Sequence, residues 1–249
     1  MKRICKQDRW VGILAAFLLF AIRDAHPAAA EDNAATVTPE TRRVLDMIDQ
    51  TGKKLVDLAA DFKQTKVTLV VNDTSTESGK LYLKRTKSGN RTRIDYENID
   101  ARPEEKTLLI DRGKVLIYEP RIKRLQPVEL GKSRGQAEFL LTGIGQSSSS
   151  LTQSYDVKFL KEEMIESAKA SLLELKPKSE KVSSMFSTIW IWVDHASGLP
   201  IQTRLTESSG DYLTFHLENI RINPKLDDKI FKLDIPSDVQ RMKPLTSQE

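Results

Sequence analysis

Between Gly79 and Pro120 apolar and polar side chains alternate with a period of two, and this restricts the fold more than any other feature of the 249 residues. In Lys80-Leu81-Tyr82-Leu83-Lys84-Arg85 one face receives Leu81, Leu83 and Arg85, and the other receives Lys80, Tyr82 and Lys84. Arg85 therefore shares a face with leucines and needs acceptors there. From Arg91 to Asn98 the pattern sets Thr92, Ile94 and Tyr96 against Arg91, Arg93, Asp95 and Glu97, the alternation of a sheet wet on one side and apolar on the other. Lys106 to Asp111 and Lys114 to Glu119 follow as short apolar runs joined by a turn at Arg112-Gly113. The stretch reads as four consecutive antiparallel strands with one apolar face.

The chain opens with a different kind of segment. Lys2, Arg3, Lys6 and Arg9 precede a thirteen-residue apolar run from Trp10 to Ile22, and Ala28-Ala29-Ala30 places small residues where a signal peptidase cuts. This is read as a signal peptide over residues 1–30, cleaved near Ala30, because a membrane-spanning helix needs about 20 apolar residues. The only cysteine, Cys5, lies before that run, so the exported chain has none. Without residues 1–30 the Lys/Arg and Asp/Glu counts fall to 34 and 33, and the basic balance of the whole chain largely disappears. The spread of charge offers no nucleic acid a basic face with stacking aromatics. What remains is long enough for one sizeable β domain.

Residues 31–37 form a polar, mobile leader, 38–240 a single domain and 241–249 a tail. Thr38-Pro39 is a helix start, with Thr38 as N-cap and Pro39 where its missing N–H costs nothing. Val44, Leu45, Ile48, Leu55 and Leu58 keep helical spacing, and from Leu58 through Ala60, Phe62 and Gln64 the period becomes two, so the helix feeds directly into a strand. Arg121 to Gln126 reads as another strand, Gln136 to Leu141 as a short helix ended by Thr142-Gly143, and Ser147 to Ser150 as a polar loop. Strands follow around Tyr155, Val157 and Phe159, from Ala168 to Leu175, from Phe186 to Val193, from Leu199 to Leu205, and through Leu213, Phe215 and Leu217. A last strand is expected to carry Phe231, Leu233 and Ile235. The whole is mainly β (α+β), a large curved antiparallel sheet, either a barrel or an open half-barrel whose concave face is covered by helices.

Enzymatic chemistry has no evident home. His195 and His216 stand alone with no second ligand at metal spacing, His216 is expected to be exposed, and no nucleophile elbow, P-loop or dinucleotide fingerprint occurs. Glu162, Glu163 and Glu166 read as a solvated face. No metal or cofactor is expected. An apolar concavity is itself a binding device, since burying an acyl chain is worth about 0.8 kcal/mol per methylene.

Leu83-Lys84-Arg85, Arg91-Thr92-Arg93-Ile94-Asp95-Tyr96 and Leu109-Ile110-Asp111-Arg112-Gly113-Lys114, leading into Ile117-Tyr118-Glu119-Pro120, resemble the central signature of the LolA-like periplasmic carriers of outer-membrane lipoproteins. Leu58-x-Ala60-x-Phe62-x-Gln64 resembles the family's first strand. Asp194, Gly198-Leu199-Pro200, Gly210, Asn219-Ile220, Asn223, Leu226, Phe231 and Pro236 resemble its ending. The resemblance implies an incomplete β-barrel with a helical lid and a monomeric periplasmic carrier. It would take acylated lipoproteins, or a similar amphiphile, from an inner-membrane ABC-type release complex to an outer-membrane acceptor. Related possibilities are a carrier of a hopanoid or glycolipid, or a lipid-sensing domain that binds an anti-sigma factor. Leu81, Leu83, Ile94, Tyr96, Leu213 and Phe215 would line the cavity. Phe139, Leu140 and Leu141, with Val44, Leu45 and Ile48, would occupy it when it is empty. Arg85 matches by position the arginine that latches the family's lid, and its expected acceptors are carbonyls near Thr142 to Gly145. Thr86 stands where the family has proline, and Ile94 where an aromatic is usual.

Overall fold

The period-two stretch folds as its pattern dictates. In a computed structural model, which describes residues 37–87, 89–100, 102–111, 114–129 and 141–246, it forms strands β2 (Asp73–Thr86), β3 (Gly89–Ile99), β4 (Arg102–Asp111) and β5 (Lys114–Glu119). Leu81 pairs with Ile94 and Leu83 with Thr92, and Ile94 and Thr92 pair in turn with Leu108 and Ile110, so one apolar face runs unbroken across these strands. The signal-peptide segment, residues 31–36 of the leader, the Arg112-Gly113 turn and most of the expected helix at Gln136 to Leu141 lie outside the described residues.

Before this meander come helix α1 (Pro39–Lys54) and strand β1 (Asp57–Thr68); after it come β6 (Arg124–Glu129), α2 (Ser148–Ser154), β7 (Tyr155–Ile165), β8 (Ala168–Pro177), α3 (Glu180–Ser183), β9 (Thr188–Asp194), β10 (Pro200–Thr206), β11 (Tyr212–Ile222), β12 (Gln240–Arg241) and β13 (Leu245–Thr246). They build one sheet in the order β12-β6-β5-β4-β3-β2-β1-β11-β10-β9-β8-β7, with β13 also on β6. The long pairs are antiparallel, and only β12 and β13 run parallel to β6. Among the described residues β7 pairs with β8 alone, so the sheet curls without closing and leaves an open barrel. Register shifts at Ser78/Gly79, Tyr96/Asn98, Phe159/Lys161 and Pro200/Gln202 add the local bends that such curvature needs.

α1 lies on the concave face. Thr38 caps it by accepting the Thr41 N–H at 3.3 Å, and Val44, Leu45 and Ile48 are buried, with 0 to 5% exposure. The helix stops at Lys54 and β1 starts at Asp57, because Asn223 clamps the junction: its Oδ1 accepts from Val56 and Asp57 N–H, and its Nδ2 donates to the Lys54 carbonyl. Gly198, at φ +67°, allows the β9–β10 turn to seat against α1, where any side chain would strike the Met47 carbonyl and Thr51.

Several local expectations give way to tertiary context. Arg121 does not begin a strand: Pro120–Ile122 is a 3-10 turn, Lys123 takes a left-handed φ of 49°, and β6 begins at Arg124. The serine run is helical rather than a loop, because Ser147 caps α2 by accepting from Ser150 N–H, Asp49 accepts from both Ser148 N–H and Oγ, and Leu151 anchors in the core. Phe231 belongs to a 3-10 turn (Asp228–Phe231) and not to a strand. This segment crosses the outer face of the meander, and its carbonyls are satisfied by side chains: Lys84 Nζ donates to Leu226 O at 2.8 Å, Arg93 Nη1 to Ile230 O at 2.8 Å and Arg91 Nη2 to Phe231 O at 3.2 Å. The Arg91 guanidinium lies 5.0 Å from the Phe231 ring centre. The outer face expected to be wet is thus covered here. The boundary expected at residue 240 falls inside β12, and chain as far as Thr246 pairs with β6.

Gly79 shows how closely β2 and β3 approach at their bulge, where a β-carbon would collide with the Asp95 carbonyl. Gly79→Ala should lower unfolding free energy by about 1–3 kcal/mol, the usual cost of overpacking, as measured by urea denaturation at unchanged m-value.

Candidate functional site

The concave face draws from both halves of the sheet. β1 contributes Leu58, Ala60 and Phe62, β2 Leu81 and Leu83, β3 Ile94 and Tyr96, and β8 to β11 Leu173, Leu175, Ile189, Ile191, Val193, Leu205, Phe215 and Leu217, all in one cluster with Val44, Leu45 and Ile48 of α1. Phe62 stacks on Phe215 with ring centres 5.0 Å apart and meets Tyr96 edge-on at 5.3 Å. Leu141 joins this cluster at 8% exposure, and Leu213 packs against it half-buried. Phe139 and Leu140 lie outside the described residues. The expected lining residues that are described therefore converge on one face. Among the described residues Val44, Leu45 and Ile48 of α1, with Leu141, Ile144 and Leu151, cover this face with aliphatic side chains.

Polar attachments hold α1 around that apolar contact. Thr41 Oγ1 accepts the Phe159 N–H at 3.0 Å, Thr51 Oγ1 donates to Ser197 O at 2.7 Å, and Asp49 accepts from Ser148 as described above. Those bonds from Ser148 draw the Asp49 carboxyl below its usual range. Arg43 Nη2 donates to Glu162 Oε1 at 2.5 Å, and Glu162 also holds Lys169 at 2.7 Å. The Glu162 carboxyl is lowered to about 2, first by the hydrogen bond from Lys169 and then by that from Arg43. Glu162 and Glu163 are thus not idle surface charges, since Glu163 accepts from Trp192 Nε1 at 2.6 Å.

Arg85 reaches the far end of the same helix. Its Nη1 donates to Gly52 O and, at 3.3 Å, to Leu55 O, while its own N–H donates to Val56 O at 2.8 Å. The expected acceptors near Thr142 to Gly145 are replaced by the last carbonyls of α1, which lack intrahelical donors and present the negative end of the helix dipole. Segment 141–145 still borders the arginine, because a β-carbon on Gly145 would sit 3.7 Å from Arg85 Cδ. Arg85 is exposed along part of its length, so it touches water and the helix end together.

Spacing along the chain points to Val44, Leu45, Ile48 and Phe215, and the β1 alternation to Phe62. The Arg43–Glu162 link and the Asn223 clamp join residues more than a hundred positions apart and carry no local signal. His216, expected to be exposed, is 14% exposed in its side chain. Glu166, which no sequence spacing connects to β11, comes together with His216 and Glu218 on the convex face. His195 shares a hydrogen bond with Ser171 Oγ at 2.8 Å. The described clefts lie away from α1. One, of about 600 Å³, is lined by Arg93, Lys106, Tyr118 and Asp234 and is mixed in charge.

A family model described as outer membrane lipoprotein carrier protein LolA matches residues 53–234. The chain belongs to the LolA family. No curated protein sequence matches it. Among solved structures it is similar to an uncharacterized conserved protein of Thermus thermophilus, at 11% identity and a TM-score of 0.52, covering 82% of this chain and 98% of that one. It is also similar to MucB, at 13% identity and a TM-score of 0.50, covering 79% of this chain and 63% of MucB. A LolA superfamily protein of Nitrosomonas europaea is 13% identical, with 78% and 97% covered and a TM-score of 0.42. At these identities the structural likeness concerns the fold alone. The LolA family is one of carriers, a binding and transport fold rather than an enzymatic one.

The lowered Glu162 pKa carries a sign. Held at about 2 in the folded chain against an ordinary 4.5, the carboxylate contributes stability that is complete above the ordinary value and is lost as pH falls through about 2. Glu162→Gln should lower the melting temperature at pH 7, and the difference from wild type should be constant above pH ~4.5 and vanish near pH ~2, as read by circular dichroism melts across pH.

Proposed function

We propose that the protein is an exported carrier that takes up the acyl chains of a lipoprotein on its concave face and moves them through the periplasm between the two membranes. The observation that carries this reading is the mode of closure: an apolar sheet face covered, among the described residues, by α1 together with Leu141, Ile144 and Leu151, with α1 held at its ends by polar bonds. Three aliphatic side chains of α1 meet the sheet, and at about 1.5–3 kcal/mol per buried side chain their docking contributes roughly 5–9 kcal/mol. An acyl chain at about 0.8 kcal/mol per methylene matches this with roughly six to eleven methylenes. Helix and lipid are then comparable occupants of one surface, and a carrier that must release its cargo requires that balance.

Arg85 acts in this scheme as the device that favours the closed state. Its two bonds to the α1 terminus exist only when the helix is docked, so they weaken cargo binding by their own free energy. An ABC-type release complex as donor and an outer-membrane acceptor complete the route as the family's role suggests. A hopanoid or glycolipid cargo would use the same wall and is told apart by its identity. Mass spectrometry of chloroform extracts from protein purified from its native envelope should find acylated peptide or lipoprotein. Arg85→Leu should bind a fluorescent acyl probe ~5- to 30-fold more tightly, the effect of roughly 1–2 kcal/mol for hydrogen bonds from a partly exposed cation. It should also release cargo to acceptor membranes more slowly. Probe affinity and release equal to wild type would remove Arg85 from this role.

A further inference from the structure

The β7–β8 hairpin does more than end the sheet. Ile165 and Ala168 at its turn pack with Trp190, Trp192 and Ile220 in a second apolar cluster on the convex face, which carries the turn across β9 and β10 toward β11. Glu166 in that turn thereby arrives beside His216 and Glu218, which stand two apart on β11 and so share one face. One donor atom from each of the three lies within 4.8 Å of the others.

The imidazole is the informative member. The His216 side chain is 14% exposed, and its Nδ1 is buried with no hydrogen-bond partner. Its Nε2 is 3.6 Å from Glu166 Oε1, beyond hydrogen-bonding distance, although the two carboxylates bring negative charge to the ring. A nearly buried ring without a hydrogen bond among the described residues, its Nε2 turned to Glu166 of a distant turn and with Glu218 two residues along its own strand, is an incomplete arrangement if hydrogen bonding is its purpose. It is a sensible donor set for a divalent transition metal, which takes imidazole nitrogen and carboxylate oxygen at about 2.0–2.2 Å. Glu166 is 69% exposed, so its carboxylate has room to close the remaining distance.

We propose that Glu166, His216 and Glu218 form a divalent-metal site of the zinc class that fastens the β7–β8 turn to β11. These elements are not neighbours in the sheet, since β9 and β10 lie between the hairpin and β11. A bound ion would therefore fix the curl of the open barrel at a place where no ladder hydrogen bond does. The inference is independent of the lipid-carrier reading, and neither stands or falls with the other.

Metal-stripped, untagged full chain titrated with Co2+ should develop one-to-one visible absorption that Zn2+ abolishes, and Zn2+ should raise the melting temperature. Glu166→Gln, at an exposed position that should not disturb folding, and His216→Asn should each weaken Co2+ binding by more than ~10-fold, because loss of even an outer-sphere partner costs that much. His195→Asn should leave binding unchanged. Absence of Co2+ absorption at millimolar metal would overturn the proposal, as would binding unaffected by Glu166→Gln. An equal loss of melting temperature in Glu166→Gln with and without Zn2+ would reduce the cluster to an ion pair and also overturn it.

Discussion

Everything in this molecule depends on covering the apolar face of a sheet that bends too far to lie flat and stops short of closing. A closed barrel buries its inner face against itself. An open one must bury that face under something else, and α1 contributes Val44, Leu45 and Ile48 to the same buried cluster as Phe62, Leu83 and Phe215. The exclusion of water from this contact is nondirectional and sets no unique helix position. Position comes from directional bonds around its rim: Thr41 to Phe159, Thr51 to Ser197, Asp49 to Ser148, Arg43 to Glu162 and Arg85 to the helix end.

That division of labour makes the cover separable from the wall. Individual rim bonds are modest in net worth, about 0.5–1.5 kcal/mol for a neutral pair, and exposed ion pairs add little. The wall has a different support. Its strands are tied by long antiparallel ladders, and its outer side is braced by the C-terminal segment, whose carbonyls accept from Lys84, Arg91 and Arg93. Helix and sheet are held by different interactions, so moving one need not unravel the other. This is the physical basis for reading the fold as a container with an internal competitor for its contents.

Much of the sheet was legible because β-strands advertise themselves locally. Leu81, Leu83, Ile94 and Tyr96 were assigned to one face by alternation alone, and their register confirms that face. Thr38-Pro39 announced α1 through capping chemistry. Misreadings arose where local chemistry was ambiguous and distant partners decided. The Ser147 to Ser150 run has weak helix propensity, yet Asp49 and the burial of Leu151 make it the start of α2. Phe231 looks like a strand residue, but its segment crosses the outer face of the meander, where side chains of β2 and β3 donate to its carbonyls in place of a neighbouring strand. His216 reads as exposed from its parity on β11, and a hairpin turn fifty residues earlier folds over it.

The amino-acid sequence by itself determined which faces would be apolar, where α1 begins, and that an arginine would stand at the end of β2 among leucines, because period and capping are properties of neighbours along the chain. Only the tertiary structure decided that β1 pairs with β11, that Arg85 finds the carbonyls of Gly52 and Leu55, and that Glu166 meets His216. The reason is geometric. Sheet curvature brings together residues with no common local pattern, and the amount of curvature results from bulges, twist and packing summed over the whole sheet.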